Sequence, residues 1–161
     1  MSPQPILVRA ARMGDYDALV ALFEELDELH RQARPDVFRR FDGPARTREQ
    51  IEQWLAGPGS TVLVAESGQD VVGLAVLLTR PPSPFAGAVP NKVVELDNIV
   101  VRADQRGRGI GRELLEATVA WSRGQKADNI VVSVHAFNRD ARRFYETFGF
   151  APSVDRLMLE A

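Results

Sequence analysis

Arg106-Gly107-Arg108-Gly109-Ile110-Gly111 is the stretch that decides the reading of this chain. Before it lies Val93-Val94-Glu95-Leu96-Asp97-Asn98-Ile99-Val100-Val101, which reads as a strand. After it comes Arg112 to Arg123, with Leu114, Leu115, Thr118, Val119 and Ser122 at helical spacing. The local order is therefore strand, glycine turn, helix. Such a turn is built to capture an anion. Glycine lets the backbone approach a ligand closely, and the first turn of a helix has free N–H groups and partial positive charge. Arg102, Arg106, Arg108 and Arg112 bracket the turn, so a pyrophosphate-bearing ligand is expected there.

Spacing narrows the kind of turn. The P-loop needs Lys-Ser or Lys-Thr after its last glycine, and here Arg112-Glu113 follows. The dinucleotide fingerprint needs G-x-G-x-x-G, whereas Gly107, Gly109 and Gly111 run G-x-G-x-G. The spacing that fits is R-x-x-G-x-G, from Arg106 to Gly109 and Gly111. This resembles the acetyl-CoA motif of the GNAT superfamily of N-acetyltransferases. A second stretch, Asn138 through Ala141 and Tyr145 to Gly149-Phe150, is similar to the family's N-x-x-A-x-x-x-Y-x-x-x-G-F signature.

Composition sets outer bounds. At 161 residues, 45% hydrophobic and 26% charged, the chain is expected to be one globular domain spanning 1–161. A net charge of −2 argues against a nucleic-acid partner. There is no cysteine, and the two histidines, His30 and His135, are far apart in sequence, so no metal is expected. No apolar run reaches ~18 residues, so no membrane partner and a cytoplasmic location are expected.

Elsewhere, Ile6-Leu7-Val8 reads as a short strand and Asp15 to His30 as a helix with Leu19, Leu22, Phe23, Leu26 and Leu29 as its stripe. The polar stretch Arg31 to Arg46 still holds Val37, Phe38 and Phe41, so it is expected to pack. Thr47 and Gln50 have capping-box spacing ahead of a second helix carrying Ile51, Trp54 and Leu55. Thr61 to Glu66 and Val71 to Thr79 read as a hairpin about Ser67-Gly68-Gln69-Asp70. Within the strand from Val93 to Val101 the apolar parity changes, and a bulge near Asp97-Asn98 would reconcile it. Asn129 to Val134 is largely apolar and reads as a central strand; Asn138 caps a helix with Ala141, Phe144, Tyr145 and Phe148 as its stripe. Arg156 to Leu159 reads as a closing strand. The order is β-α-α-β-β-β-α-β-α-β.

That order is the one the resemblance implies: a mixed α/β GNAT fold, a mostly antiparallel mixed sheet with helices on both faces. The resemblance also implies acetyl-CoA as cosubstrate. Its pantetheine arm would pair with the backbone of Ile99, Val100 and Val101, and its pyrophosphate would lie on Arg106, Gly107, Arg108, Gly109, Ile110, Gly111 and Arg112. Asn138 would bond the pantetheine amide. Glu95 is implied as general base through water, with Asp97 or a water chain as alternatives, and Tyr145 as the acid for the leaving thiolate. The expected reaction is direct acetyl transfer in a ternary complex to a primary amine on a small molecule or a protein. A non-catalytic acyl-CoA sensor on the same fold is the alternative, and a homodimer is left open.

Overall fold

In a computed structural model, which describes residues 4–161, the middle of the sheet is the hairpin of β2 (Ser60–Ser67) and β3 (Asp70–Arg80). Thr61–Ala65 and Val72–Leu77 are buried residue after residue, the signature of strands covered on both faces. Ser67 pairs with Asp70, leaving Gly68-Gln69 as the turn, with Gly68 at φ +63°. β1 (Ile6–Ala10) pairs antiparallel with β2, and β4 (Val93–Val101) antiparallel with β3. β5 (Asn129–Val132) runs parallel to β4, completing the order β1-β2-β3-β4-β5. A parallel pair needs a crossover, and α3 (Ile110–Gly124) supplies it.

The sheet separates two apolar clusters. On one face α1 (Tyr16–Ala33) and α2 (Arg48–Ala56) bring Leu19, Leu22, Phe23 and Ile51 onto Val62, Val64, Leu74 and Val76. On the other, α3 and α4 (Arg139–Phe148) bring Ile110, Leu114, Leu115 and Tyr145 onto Leu63, Ala75, Leu77, Val94 and Leu96. Each fully buried leucine or isoleucine contributes roughly 1.5–3 kcal/mol. Thr47 caps α2 by accepting from the Gln50 N–H at 3.2 Å, which is one half of the capping box.

The bulge in β4 falls where parity demands. Asn98 pairs with Val76 and Leu96 with Leu77, so Asp97 is the extra residue. Val94 and Leu96 before it, and Ile99 and Val101 after it, therefore all join the α3/α4 cluster.

Two expected strands come out differently. Asn129 to Val134 is not central: β5 stops at Val132 and forms the sheet edge, with Val131 41% exposed. Val132, and Val134 just beyond the strand, pack into the α3/α4 cluster, and no further strand covers the outer edge among the described residues. Arg156 to Leu159 is not a strand. Residues 151–161 are exposed and unladdered, with Leu157 and Leu159 each 92% exposed. Apolar content favours a strand only where a neighbouring edge takes up its N–H and C=O groups, and no edge is engaged there.

Candidate active site

The site begins where β4 and β5 part. Their ladder runs from Val93–Asn129 to Leu96–Val132 and then ends. Beyond Leu96 the bulge at Asp97 bends β4 away, and no strand lies against the edge formed by residues 97–101. The parting leaves a cleft, and on that edge the N–H groups of Ile99 and Val101 and the carbonyl of Ile99, which alternate away from β3, have no strand neighbour. The cleft widens into a cavity of about 510 Å³, walled by α1, the segment after it, β4, the chain after β5, and α4.

Several expected residues meet in this cavity. Glu95, Ile99, Asn138 and Tyr145 all line it, as does Asp97. Glu95 is held from the side: the Arg80 Nε donates to its Oε2 at 2.8 Å. Asp97 has no arginine partner and accepts from the Asn98 amide at 2.6 Å. The Asp97 side chain is exposed to the cleft, yet partial desolvation first and the neighbouring Glu95 charge second lift its carboxyl above its ordinary range, against the opposing pull of Arg46 and Arg80. Asn138 caps α4, its Oδ1 accepting from the Ala141 N–H at 3.1 Å, which leaves its amide nitrogen available. Tyr145 is 8% exposed, with its ring against Phe144 and Phe150, and burial pushes its hydroxyl up to about 12. At neutral pH that hydroxyl is a hydrogen-bond donor.

The glycine turn forms the other end of the cleft. Gly107 and Gly109 sit at φ +79° and +78°, a left-handed conformation that glycine adopts without strain. A Cβ at either would meet nothing within 4 Å, so the backbone there faces open space. Gly109 is the N-cap of α3 and has no side chain to cover its first N–H groups. Ile110 and Gly111 serve differently. Ile110 is core, and a Cβ at Gly111 would stand 2.9 Å from Cζ of Phe144, so this glycine lets α3 and α4 approach.

The arginines mostly brace the turn. Arg106 donates to the Val101 carbonyl at 3.0 Å and pairs with Glu25 at 3.1 Å. Glu25 also accepts from the Ala103 N–H at 2.7 Å, pinning the turn to α1. Arg108 donates to the Gln4 carbonyl at 2.8 Å and to Gln105. Arg112 pairs with Glu116 one helical turn on, and Arg102 with Asp104. The groups left unpaired at the turn are therefore mainly backbone N–H groups. Open glycine backbone and an uncapped helix start suit a pyrophosphate, and an unpaired strand edge suits an extended amide-bearing arm.

Sequence reasoning missed the wall opposite β4. His30, Phe38, His135 and Phe137, from three separate segments, form one ring cluster. Asp27 and Arg46 pair at 2.6 Å beside it, and Arg46 also reaches Asn98 at 3.1 Å. The only signal was Val37, Phe38 and Phe41 standing in a polar stretch. Among the described residues no group of His, Asp or Glu could hold a metal ion, and no helix is long and apolar enough to cross a membrane.

Known proteins of similar sequence agree with this geometry. The family model described as Acetyltransferase (GNAT) family matches residues 22–150. N-acetyltransferase 8B of Rattus norvegicus is 30% identical over 101 residues, which are 62% of this chain and 43% of that protein, so the chain spans less than half of that relative. The uncharacterised N-acetyltransferase YhfO of Bacillus subtilis is 24% identical over 143 residues, covering 89% of this chain and 88% of YhfO. Among solved structures, the tetramutant of the BH1408 protein from Bacillus halodurans superposes with a TM-score of 0.90 at 26% identity, covering 96% of this chain and 99% of that one. The aminoglycoside N-acetyltransferase AAC(6')-Iy, solved in complex with CoA, shares the fold at a TM-score of 0.70 and 16% identity, covering 99% and 97%. The chain belongs to the GNAT family of acetyltransferases.

Proposed function

We propose that this acetyltransferase moves an acetyl group from acetyl-CoA to a primary amine by direct transfer within a ternary complex. Three observations carry the reading: open backbone at Gly107 and Gly109, a β4 edge left unpaired beyond Leu96, and a cavity lined by Asp97, Glu95 and Tyr145. In this reading, the N–H groups at Gly107, Gly109 and the start of α3 take the pyrophosphate. The β4 edge at Ile99–Val101 pairs with the pantetheine amides, joined by the Asn138 amide. A free β4 N–H near Val100 polarises the thioester carbonyl.

An ammonium entering the cavity meets a carboxylate pair. Asp97, the member without an arginine in contact, takes the proton, directly or through water, and Glu95 raises its basicity. The freed nitrogen attacks the carbonyl carbon and the C–N bond forms; the nitrogen then releases its surplus proton to water as the C–S bond breaks, leaving the neutral amide. The leaving thiolate, like cysteine, belongs to a thiol of pKa about 8.5. A phenol held at about 12 does not give its proton to such a thiolate downhill. Tyr145 therefore acts by donating a hydrogen bond to the sulfur as charge develops, and solvent supplies the proton. Asp97 returns its proton to water.

The test is thioester consumption across an amine panel, with mass spectrometry of the product. An acetylated amine gaining 42 mass units, the mass of C2H2O, supports the reading. Tight acetyl-CoA binding with no acetylated product from any amine leaves only the acyl-CoA sensor.

A further inference from the structure

We propose that the acceptor is an aryl-alkyl monoamine, its one ammonium on Asp97 and its flat body against the rings of His30, Phe38 and His135, which line the cavity. This rests on the amine-acetyltransferase reading above and names its substrate class.

The charges of the cavity argue for one cation. Its acids are Asp27, Glu95 and Asp97, and its arginines are Arg31, Arg39 and Arg46. Arg46 neutralises Asp27 at 2.6 Å and Arg80 neutralises Glu95 at 2.8 Å. Arg31 is taken up by Glu24 and Glu28. Asp97 is the one lining carboxylate with no arginine in ion-pair contact among the described residues; Arg46 and Arg80 act on it only from a distance. A second or third ammonium would find no free acid and would meet Arg39, which lines the cavity and is exposed. Polyamines and aminoglycosides are therefore poor guests.

The walls argue for a flat apolar body. His30 lies 5.3 Å from Phe38, 5.2 Å from His135 and 5.7 Å from Phe137, all edge to face. His135 stacks on Phe137 with planes 22° apart. The His30 Nδ1 is occupied by the Leu26 carbonyl at 2.9 Å, which fixes the ring. Burial and the neighbouring His30 pull His135 below its ordinary range, so it presents a neutral ring. Val37 and Phe41 line the same cavity, belong to neither core cluster and are 51% and 56% exposed. Apolar surface concentrated at a cavity mouth marks a place where an apolar ligand sits. An aromatic body adds edge-to-face contacts with these rings.

The experiment compares 2-phenylethylamine, n-butylamine, spermidine and an aminoglycoside as acceptors, by thiol release and product mass. The expected result is a kcat/KM for 2-phenylethylamine about 10-fold or more above that for n-butylamine, with both polycations below the two monoamines. In Phe38→Ser the ratio of the two monoamines should fall toward one, with acetyl-CoA binding measured alongside as a check of folding. Preference for spermidine or the aminoglycoside overturns this inference and leaves amine acetylation standing. Equal use of the two monoamines by the unaltered protein also overturns it. Failure to acetylate any amine, with acetyl-CoA bound, overturns the underlying reading and this one together.

Discussion

Tyr145→Phe takes one oxygen out of the cavity and keeps the ring. That ring is fixed by Phe144 at 5.3 Å and Phe150 at 5.6 Å, and the hydroxyl has no hydrogen-bond partner among the described residues. Its loss orphans no donor or acceptor, so stability at neutral pH should change by about 1 kcal/mol or less. Catalysis should change more. A hydrogen bond to a charged atom is worth about 1.5–3 kcal/mol, so losing one to the developing thiolate should lower kcat about 10- to 100-fold, with acetyl-CoA affinity nearly unchanged. A second readout comes from the hydroxyl itself. Burial raises it from 10.0 to about 12, a difference of roughly 3 kcal/mol between its two protonation states. The folded value lies above the unfolded one, so the folded protein keeps a proton that the unfolded chain releases. Stability is then unaffected below pH 10 and falls as pH rises from about 10 to about 12. Tyr145→Phe lacks this loss. Melting curves across that window should show the unaltered protein losing several degrees more than the variant, and steady-state kinetics at pH 7 give kcat. Full kcat in Tyr145→Phe refutes the role at sulfur, and equal alkaline losses refute the claim that the hydroxyl is desolvated.

Three further outcomes follow from the same geometry. Gly109→Glu puts a carboxylate into the open space at the start of α3 and should weaken acetyl-CoA by at least ~10-fold in calorimetry. Gly111→Ala instead presses on Phe144, at a cost of about 1–3 kcal/mol in denaturant unfolding that Gly111→Ala/Phe144→Leu should largely relieve. With Asp97 as the proton acceptor, Asp97→Asn should lower kcat/KM ~10²-fold or more at pH 7, less at high pH, and Glu95→Gln should have a smaller effect; the reverse order in pH–rate profiles would return the base to Glu95.

What was legible in the sequence was what is local. The glycine turn carries its own backbone requirement, and Asn138 to Phe150 carries cap, stripe and stop within one helix. Even the bulge could be read, because Val94 and Leu96 conflict in parity with Ile99 and Val101 inside a single strand. The failures concern partners at a distance. Ile130 to Val132 look the same at a sheet edge as at its centre, since α3 and α4 demand apolar residues in either place. The Leu157-Met158-Leu159 run has strand composition and no ladder. The four-ring cluster joins residues 30, 38, 135 and 137, and the Asp27–Arg46 pair is 19 residues apart, so no window of periodicity contains either. The glycine turn also concealed a division of labour: Gly107 and Gly109 leave open space beside their backbone, and Gly111 serves the seam between α3 and α4.

The extra residue in β4 also governs how the chain can fold. A strand that alternates without interruption can slide by two residues along its neighbour and still bury the same face. β4 cannot. A slip of one residue against β3 turns Val94 and Leu96 to the wrong side. A slip of two restores them but carries the unpaired Asp97 away from the step between Val76 and Leu77. Only one alignment satisfies both halves at once. The kink that opens the cleft therefore also acts as an indexing pin. Deleting Asp97 would do more than shorten the strand: Val94, Leu96, Ile99 and Val101 would then alternate without interruption on one face, so the kink would vanish and the search for the native pairing would lose its unique stop.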